Sequence, residues 1–470
     1  MKNLSGANFN NGAAVGPQGE GRDSPSTFPS YPAYKDSGVE WLGAVPESWK
    51  VSGIKSFADL ITGITPPSDD LDNYAEEGWP WVRPEDLNDS GKPVRASKFL
   101  TDQGWRFCRK VQGGSTLICC IGTIGKLGFV DSDVCTNQQI TAVVPRGNGR
   151  FFFYAMQALK PAFDVGATGN VLRILNSERL GNVTMVVPDH SEAESIARFL
   201  DHEIARIDAL IEEQQRLIEL LKEKRQAVIS HVVTKGLDPT VPMKDSGVEW
   251  LGEVPAHWDV LRIGAVYSET ADKGLTELPV LRVSIHYGVS DKELSEEEAD
   301  RKITRIDDRE KYKRVRPGDL VYNMMRAWQG GFGAVLVDGL VSPAYVVARP
   351  KNGDISRYVE QLLRTSCAIE EMRKNSYGIT DFRLRLYWDQ FKNIFISIPP
   401  EVERQQIMER IDSLINESEA LKSEADRLIV ILQERRSALI SAAVTGKIDV
   451  RGWQPPASIQ APEPAVAEAV

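Results

Sequence analysis

Two long stretches of this chain carry apolar residues at a helical period. In the first, Ile204, Ile207, Ile211, Gln214, Ile218, Leu221, Arg225 and Val228 alternate by three and four, the seam of a heptad repeat. Leu210, Leu217 and Leu220 widen the apolar stripe beyond a two-helix seam. Pro188 precedes Ser191-Glu192-Ala193-Glu194, which has the Ser-x-x-Glu form of a capping box, and Gly236 supplies a stop. The second stretch opens at Pro399-Pro400 and stops at Gly446. It is lined by Ile407, Ile411, Leu414, Ile415, Leu421, Leu428, Ile429, Ile431, Leu432 and Leu439. Each stretch predicts a helix of about 45 residues, roughly 65 Å long at about 1.5 Å per residue. The ordinary globular mean is about 11–12 residues.

Elsewhere the pattern is short. Apolar runs at 115–122, 125–130 and 140–145, broken by Gly and Pro, predict strands with tight turns, and 151–159 and 358–375 predict helices. The division expected is a disordered leader over 1–33, a mixed α/β globule over 34–188 and a long helix over 189–236. A second globule over 237–398, a second long helix over 399–447 and a flexible tail over 448–470 follow.

The chain also repeats itself. Lys35-Asp36-Ser37-Gly38-Val39-Glu40-Trp41-Leu42-Gly43, with Val45-Pro46 and Trp49, recurs 209 positions later as 244–252, with Val254-Pro255 and Trp258. Lys224-Arg225-Gln226-Ala227-Val228-Ile229-Ser230 recurs in form 211 positions later as 435–441. The sequence between these matching ends is almost unrelated in the two copies. Two equal helices, each trailing its own globule, pair most simply as an antiparallel coiled coil with a pseudo-twofold axis. The fold class expected is α+β, with two α/β domains separated by long helices. Duplex DNA has local twofold axes, and twofold proteins dock on half-sites spaced along it. Unlike inserts on such a rod predict a split, asymmetric site.

Bulk properties narrow the classes. Apolar residues make up 42% of the 470, enough for ordinary cores, and no run of about 18 apolar residues predicts a membrane span. Five cysteines, two of them adjacent at Cys119-Cys120, fit a reducing cytoplasm better than a disulfide framework. The net charge of −10 argues against an independent nucleic-acid binder. It leaves open one that binds DNA inside a larger complex.

Catalytic signatures are missing. Gly122-Thr123-Ile124-Gly125-Lys126 lacks the Gly-x4-Gly-Lys-Ser/Thr spacing of a phosphate loop. Cys108, Cys119, Cys120 and Cys135 form no Cys-x-x-Cys and the five histidines no His-x-x-x-His, so no metal site is expected. No Asn-Pro-Pro-Tyr/Phe tetrapeptide of an amino-methyltransferase occurs. A non-catalytic binding role is expected, and one alternative is a coiled-coil scaffold whose globules bind proteins.

The repeated frame and the long helices ending in 230–236 and 441–447 resemble the specificity subunit of type I restriction-modification systems, over about residues 34–447. The inserts resemble that family's target-recognition domains. The first carries Gly63-Ile64-Thr65-Pro66, Trp81-Val82-Arg83-Pro84, the 122–126 turn and Thr136-Asn137-Gln138-Gln139. The second has Arg326-Ala327-Trp328-Gln329-Gly330-Gly331 and, where Asn137-Gln138 would be expected, Val341-Ser342-Pro343-Ala344-Tyr345. The resemblance implies recognition of double-stranded DNA without bond chemistry in this chain. It implies docking of two modification subunits, which use S-adenosylmethionine, and of restriction subunits, which use ATP and Mg. Candidate DNA contacts are Thr65, Arg83, Thr123, Lys126, Asn137 and Gln138 in the first domain, and Arg326, Trp328, Gln329 and Tyr345 in the second. Arg reads guanine edges and Gln reads adenine. Candidate docking residues are Trp41, Leu42, Trp250 and Leu251 of the frame, and Ile218, Leu221, Ile429 and Leu432 of the helices.

Overall fold

A computed structural model describes residues 28–169, 172–275, 277–285, 288–290, 311–378 and 384–455. The chain divides into two compact units, Met1–Glu213 with Leu428–Val470, and Gln214–Arg427. Both long helices form, as His190–Lys235 and Glu401–Val444. The first unit holds the N-terminal part of the first helix with the C-terminal part of the second; the other unit holds the converse, so the helices pair antiparallel. Each unit contains the same interhelix ion pair. Arg436 Nε donates to Asp208 Oδ1 at 2.9 Å in one, and Arg225 Nη1 to Glu419 Oε1 at 2.8 Å in the other. Both partners are shifted by the same 211 positions.

The heptad seam is the packed face. Ile204, Ile207 and Ile218 are buried, as are Ile407, Ile411, Leu414 and Leu432. The widening residues Leu210, Leu217 and Leu220 are exposed instead. The first helix starts earlier than the Ser191 box predicts. Asp189 caps it, its Oδ1 accepting from Glu192 N at 2.9 Å. Gly236 and Gly446 end the helices in the left-handed region, at φ 81° and 72°.

In the first unit a four-stranded antiparallel sheet runs in the order Leu127–Phe129, Thr116–Cys119, Ile140–Pro145, Ala58–Thr62. Thr116–Cys119 is buried on both faces, which accounts for its unbroken apolar run. Ile118 faces the core that includes the aromatic helix Gly149–Ala158, while Leu117 and Cys119 face a second core. A five-stranded sheet of Tyr74–Ala75, Lys98–Leu100, Trp79–Val82, Val134–Thr136 and Lys110–Val111 contains one parallel pair, Val134–Thr136 with Trp79–Val82.

The second unit repeats the four-stranded sheet as Phe332–Ala334, Leu320–Asn323, Tyr345–Pro350, Tyr267–Thr270. The single helix expected over 358–375 is two, Ser356–Leu363 and Ser366–Lys374. Thr365 breaks it by adopting extended backbone and capping the second helix through its hydroxyl, which accepts from Ala368 N at 3.4 Å.

Two boundaries differ from the expected leader and tail. Ile448 and Val450 are buried, Asp449 N donates to Pro29 O at 2.7 Å, and the Arg451 guanidinium lies 4.9 Å over the Tyr31 ring. Trp453 packs edge-on against Phe199. Apolar residues spaced through a polar tail are enough to fold it onto the core.

Candidate nucleic-acid interface

In the first unit the parallel strand pair brings distant motifs together. Ile64 N donates to Thr136 O at 2.9 Å, and Gly63 N to Ile140 O at 3.0 Å. A Cβ on Gly63 would stand 2.2 Å from Thr136 O, so only glycine permits this approach. The Thr65 hydroxyl donates to Gln138 Oε1. Asn137 N donates to Val82 O at 3.2 Å, which sets the 137–139 turn beside Arg83. Thr65, Arg83, Asn137 and Gln138 therefore converge.

Their availability differs. Asn137 is buried and satisfied locally, its Nδ2 donating to Gln139 Oε1 at 2.9 Å and its Oδ1 accepting from Gln139 N at 3.2 Å. Gln138 is exposed. Arg83 Nη2 pairs with Glu85 Oε1 at 2.9 Å and donates to Ser97 Oγ at 3.2 Å. Lys126 Nζ donates to Pro84 O at 2.9 Å and so braces the turn after Arg83. Thr123 is exposed on the hairpin turn flanked by Gly122 and Gly125, at φ 81° and 77°.

In the second unit the equivalent hairpin turn joins Leu320–Asn323 to Phe332–Ala334. Arg326 and Gln329 are exposed on it; Trp328 is half-buried, with the Arg373 guanidinium 6.0 Å from its ring. Tyr345 pairs with Asn323 in the sheet, and Lys313 Nζ donates to its carbonyl at 2.7 Å. Burial pushes the Tyr345 phenol up, and a hydrogen bond from Asn323 pulls it partly back. Ser342, Pro343 and Ala344 occupy the turn that Asn137, Gln138 and Gln139 make in the first unit.

A neighbouring ribbon escaped the sequence reading. Thr168 and Ile174 exchange backbone hydrogen bonds at 2.9 and 2.8 Å, and Leu175 N donates to Cys120 O at 2.9 Å. In the second unit Tyr377 and Arg385 exchange two at 2.9 Å, and Leu386 N donates to Met324 O at 2.9 Å. From Thr168 to Tyr377 is 209 positions and from Ile174 to Arg385 is 211, so two more residues separate the bridged pair in the second unit.

The frame candidates separate by burial. Leu42 and Leu251 are core, as are Trp49 and Trp258, and cannot form a docking surface. Ile218 and Leu432 are likewise consumed by the helix seam. Trp41 is 45% exposed, while Trp250, Leu221 and Ile429 are half-buried. The exposed large apolar residues of the two long helices are Leu210, Leu217, Leu220, Val402, Leu421, Leu428, Val430 and Ile431. Among the described residues no group of His, Cys, Asp and Glu has the arrangement of a metal site, and no helix is long and apolar enough to cross a membrane.

Comparison with known proteins agrees with this architecture. Residues 46–221 match the model of the type I restriction modification DNA specificity domain. The chain is 20% identical over 443 residues to the type I restriction enzyme EcoBI specificity subunit of Escherichia coli, covering 89% of this chain and 90% of that one. It is 23% identical over 433 residues to the MjaVIII specificity subunit of Methanocaldococcus jannaschii, covering 87% and 94%. Its fold is similar to a chain in a solved structure concerned with complex assembly and conformational transition of the type I R-M system. That match has a TM-score of 0.62 at 14% identity, over 85% of this chain and 98% of that one. A matching domain model over part of the chain and relatives aligned along most of its length make it similar to the specificity subunits of type I restriction enzymes.

Proposed function

We propose that this chain is the DNA-sequence-specificity subunit of a type I restriction-modification complex in the cytoplasm. Each α/β domain reads one half of a bipartite, asymmetric site. The chain itself breaks no bond. It docks two methyltransferase subunits and the restriction subunits, and S-adenosylmethionine, ATP and Mg enter through those partners.

One observation carries the reading: a constant frame holds two equivalent sets of turns whose side chains differ. Ser37 and Ser246 make the same turn with Val39 and Val248, each hydroxyl accepting a backbone N–H at 3.1 Å. By contrast, Asn137 and Gln138 of one domain stand where the other has Ser342 and Pro343. A scaffold binding one protein twice would have kept both.

Methylome sequencing of cells carrying the complex reads the motif directly. A split motif is expected, and exchanging residues 55–185 for those of a relative should change one half alone. If both halves change together, the two-reader model fails. A protein scaffold would bind its partners after nuclease treatment and respond little to salt, whereas DNA binding through several phosphates weakens steeply.

A further inference from the structure

We propose that the second domain reads a guanine through Arg326. This rests on the DNA-recognition role proposed above and adds the base and the residue.

Arg326 projects from a pinned turn. Its N–H donates to Asn323 O at 3.0 Å, and its carbonyl accepts from Gln329 N at 3.0 Å and Gly331 N at 2.8 Å. Gly330, at φ 92°, closes the turn in the left-handed region. A Cβ on Gly331 would meet Arg326 O at 2.8 Å, so the close return of the chain requires glycine there. The backbone that carries the guanidinium is therefore fixed before any ligand arrives, which lowers the ordering cost of a contact.

Arg326 is exposed, and no described residue pairs with its side chain. Other arginines of the same unit are committed: Arg314 to Asp338, Arg316 to Asp272, Arg349 to Asp319, Arg357 to Asp412 and Arg364 to Glu360. In the first domain Lys126 of the corresponding turn, and Arg83 and Arg173 elsewhere, are committed too. Lys126 holds Pro84 O, Arg83 pairs with Glu85, and Arg173 of the ribbon pairs with Asp164.

The surroundings favour an anionic duplex. Arg282 and Arg326 both act on the Tyr345 phenol, and Arg373 faces Trp328 in the same turn. Arg385 is exposed on the adjoining ribbon. Arg373 also pairs with Glu370 at 3.8 Å, so the exposed Arg282, Arg326 and Arg385 carry the positive charge beside this turn, on a chain of net charge −10. A planar fork of N–H donors matches the O6 and N7 acceptors of guanine in the major groove, and a good match discriminates about 10–100-fold against other bases.

The test uses the assembled methyltransferase complex, with the wild-type chain, Arg326→Ala and Arg326→Lys, read by methylome sequencing. In Arg326→Ala one guanine position of one half-site is expected to relax by about 10–100-fold, with the other half unchanged. Arg326→Lys should keep a weaker guanine preference. Relaxation at a base pair without guanine on either strand overturns the inference. So does an unchanged motif, or a uniform fall in methylation at every site, which marks a phosphate contact. A wild-type complex with no split motif would instead sink the two-reader role on which the inference stands. Because the side chain is exposed, both variants should assemble as the wild type does.

Discussion

The two tryptophans that end the repeated frame are side chains spent on stability. Trp49 and Trp258 are wholly buried. Trp258 Nε1 donates to Glu403 Oε2 at 3.1 Å, and His257 Nε2 lies 2.7 Å from the same oxygen. Trp258→Ala should destabilise the second unit by about 3–5 kcal/mol, through lost burial and a cavity. A loss of unfolding free energy under about 1 kcal/mol in denaturant melts would show that Trp258 is not an anchor. Four of the five cysteines are core residues too. Cys108, Cys119, Cys120 and Cys135 are buried and Cys367 is exposed. Burial pushes the Cys120 thiol up to about 11, away from the thiolate form that reacts. Titration of the native protein with a thiol reagent should consume one thiol quickly and the other four only on unfolding. A second fast thiol would contradict the burial.

The long helices present two faces with different tasks. The seam closes on itself, and its ion pairs differ in shelter. The side chains of Arg436 and Asp208 are 17% and 34% exposed, against 31% and 55% for Arg225 and Glu419. Arg436 also donates to Gln157 Oε1 at 3.2 Å. Double-mutant cycles to alanine should therefore give a coupling near 1 kcal/mol for the first pair and below about 0.5 kcal/mol for the second. The opposite order would mean that neither shelter nor the extra hydrogen bond decides the strength. On the outer face, Leu210, Leu217 and Leu220 recur 211 positions later as Leu421, Leu428 and Ile431, and all six are exposed. Leu217→Gln with Leu428→Gln should change stability by less than about 0.5 kcal/mol each. The pair should weaken assembly with the methyltransferase subunits, followed by sedimentation. Unchanged assembly would move docking away from this face.

In the whole molecule, the first unit is built from both ends of the chain. Gly446 packs so closely on the first frame that a Cβ would stand 2.3 Å from Pro46 Cδ, and residues 448–453 cover Tyr31 and Phe199. A chain ending at residue 445 should lose protease resistance in its first domain while keeping it in the second. Equal resistance in both would show that the strap carries no stability. Charge acts at this scale as well. A net charge of −10 repels phosphate, so the isolated chain should bind DNA weakly, and the assembled complex tightly with steep salt dependence. Comparing the two at several salt concentrations checks this; equal affinity would mean that local basic surface is enough.

Much of this was legible in the chain. The period of the apolar residues determined the long helices and their seam, because helical geometry alone relates spacing to face. The repeated frame determined two equivalent domains, and the apolar runs at 115–122 and 140–145 determined central strands. Tertiary structure decided the rest, since burial depends on what approaches from elsewhere. It turned Leu42, Leu251, Ile218 and Leu432 inward and left Leu217 and Leu428 outside. It broke the helix at Thr365 and folded Ile448 and Val450 into the core. Above all it settled which polar side chains were already engaged. Lys126 and Asn137 have their partners within the first domain, whereas Arg326 is held out unpaired among the described residues. Residue type names the chemistry a side chain can do, and only the arrangement of its neighbours decides whether that chemistry is free for DNA.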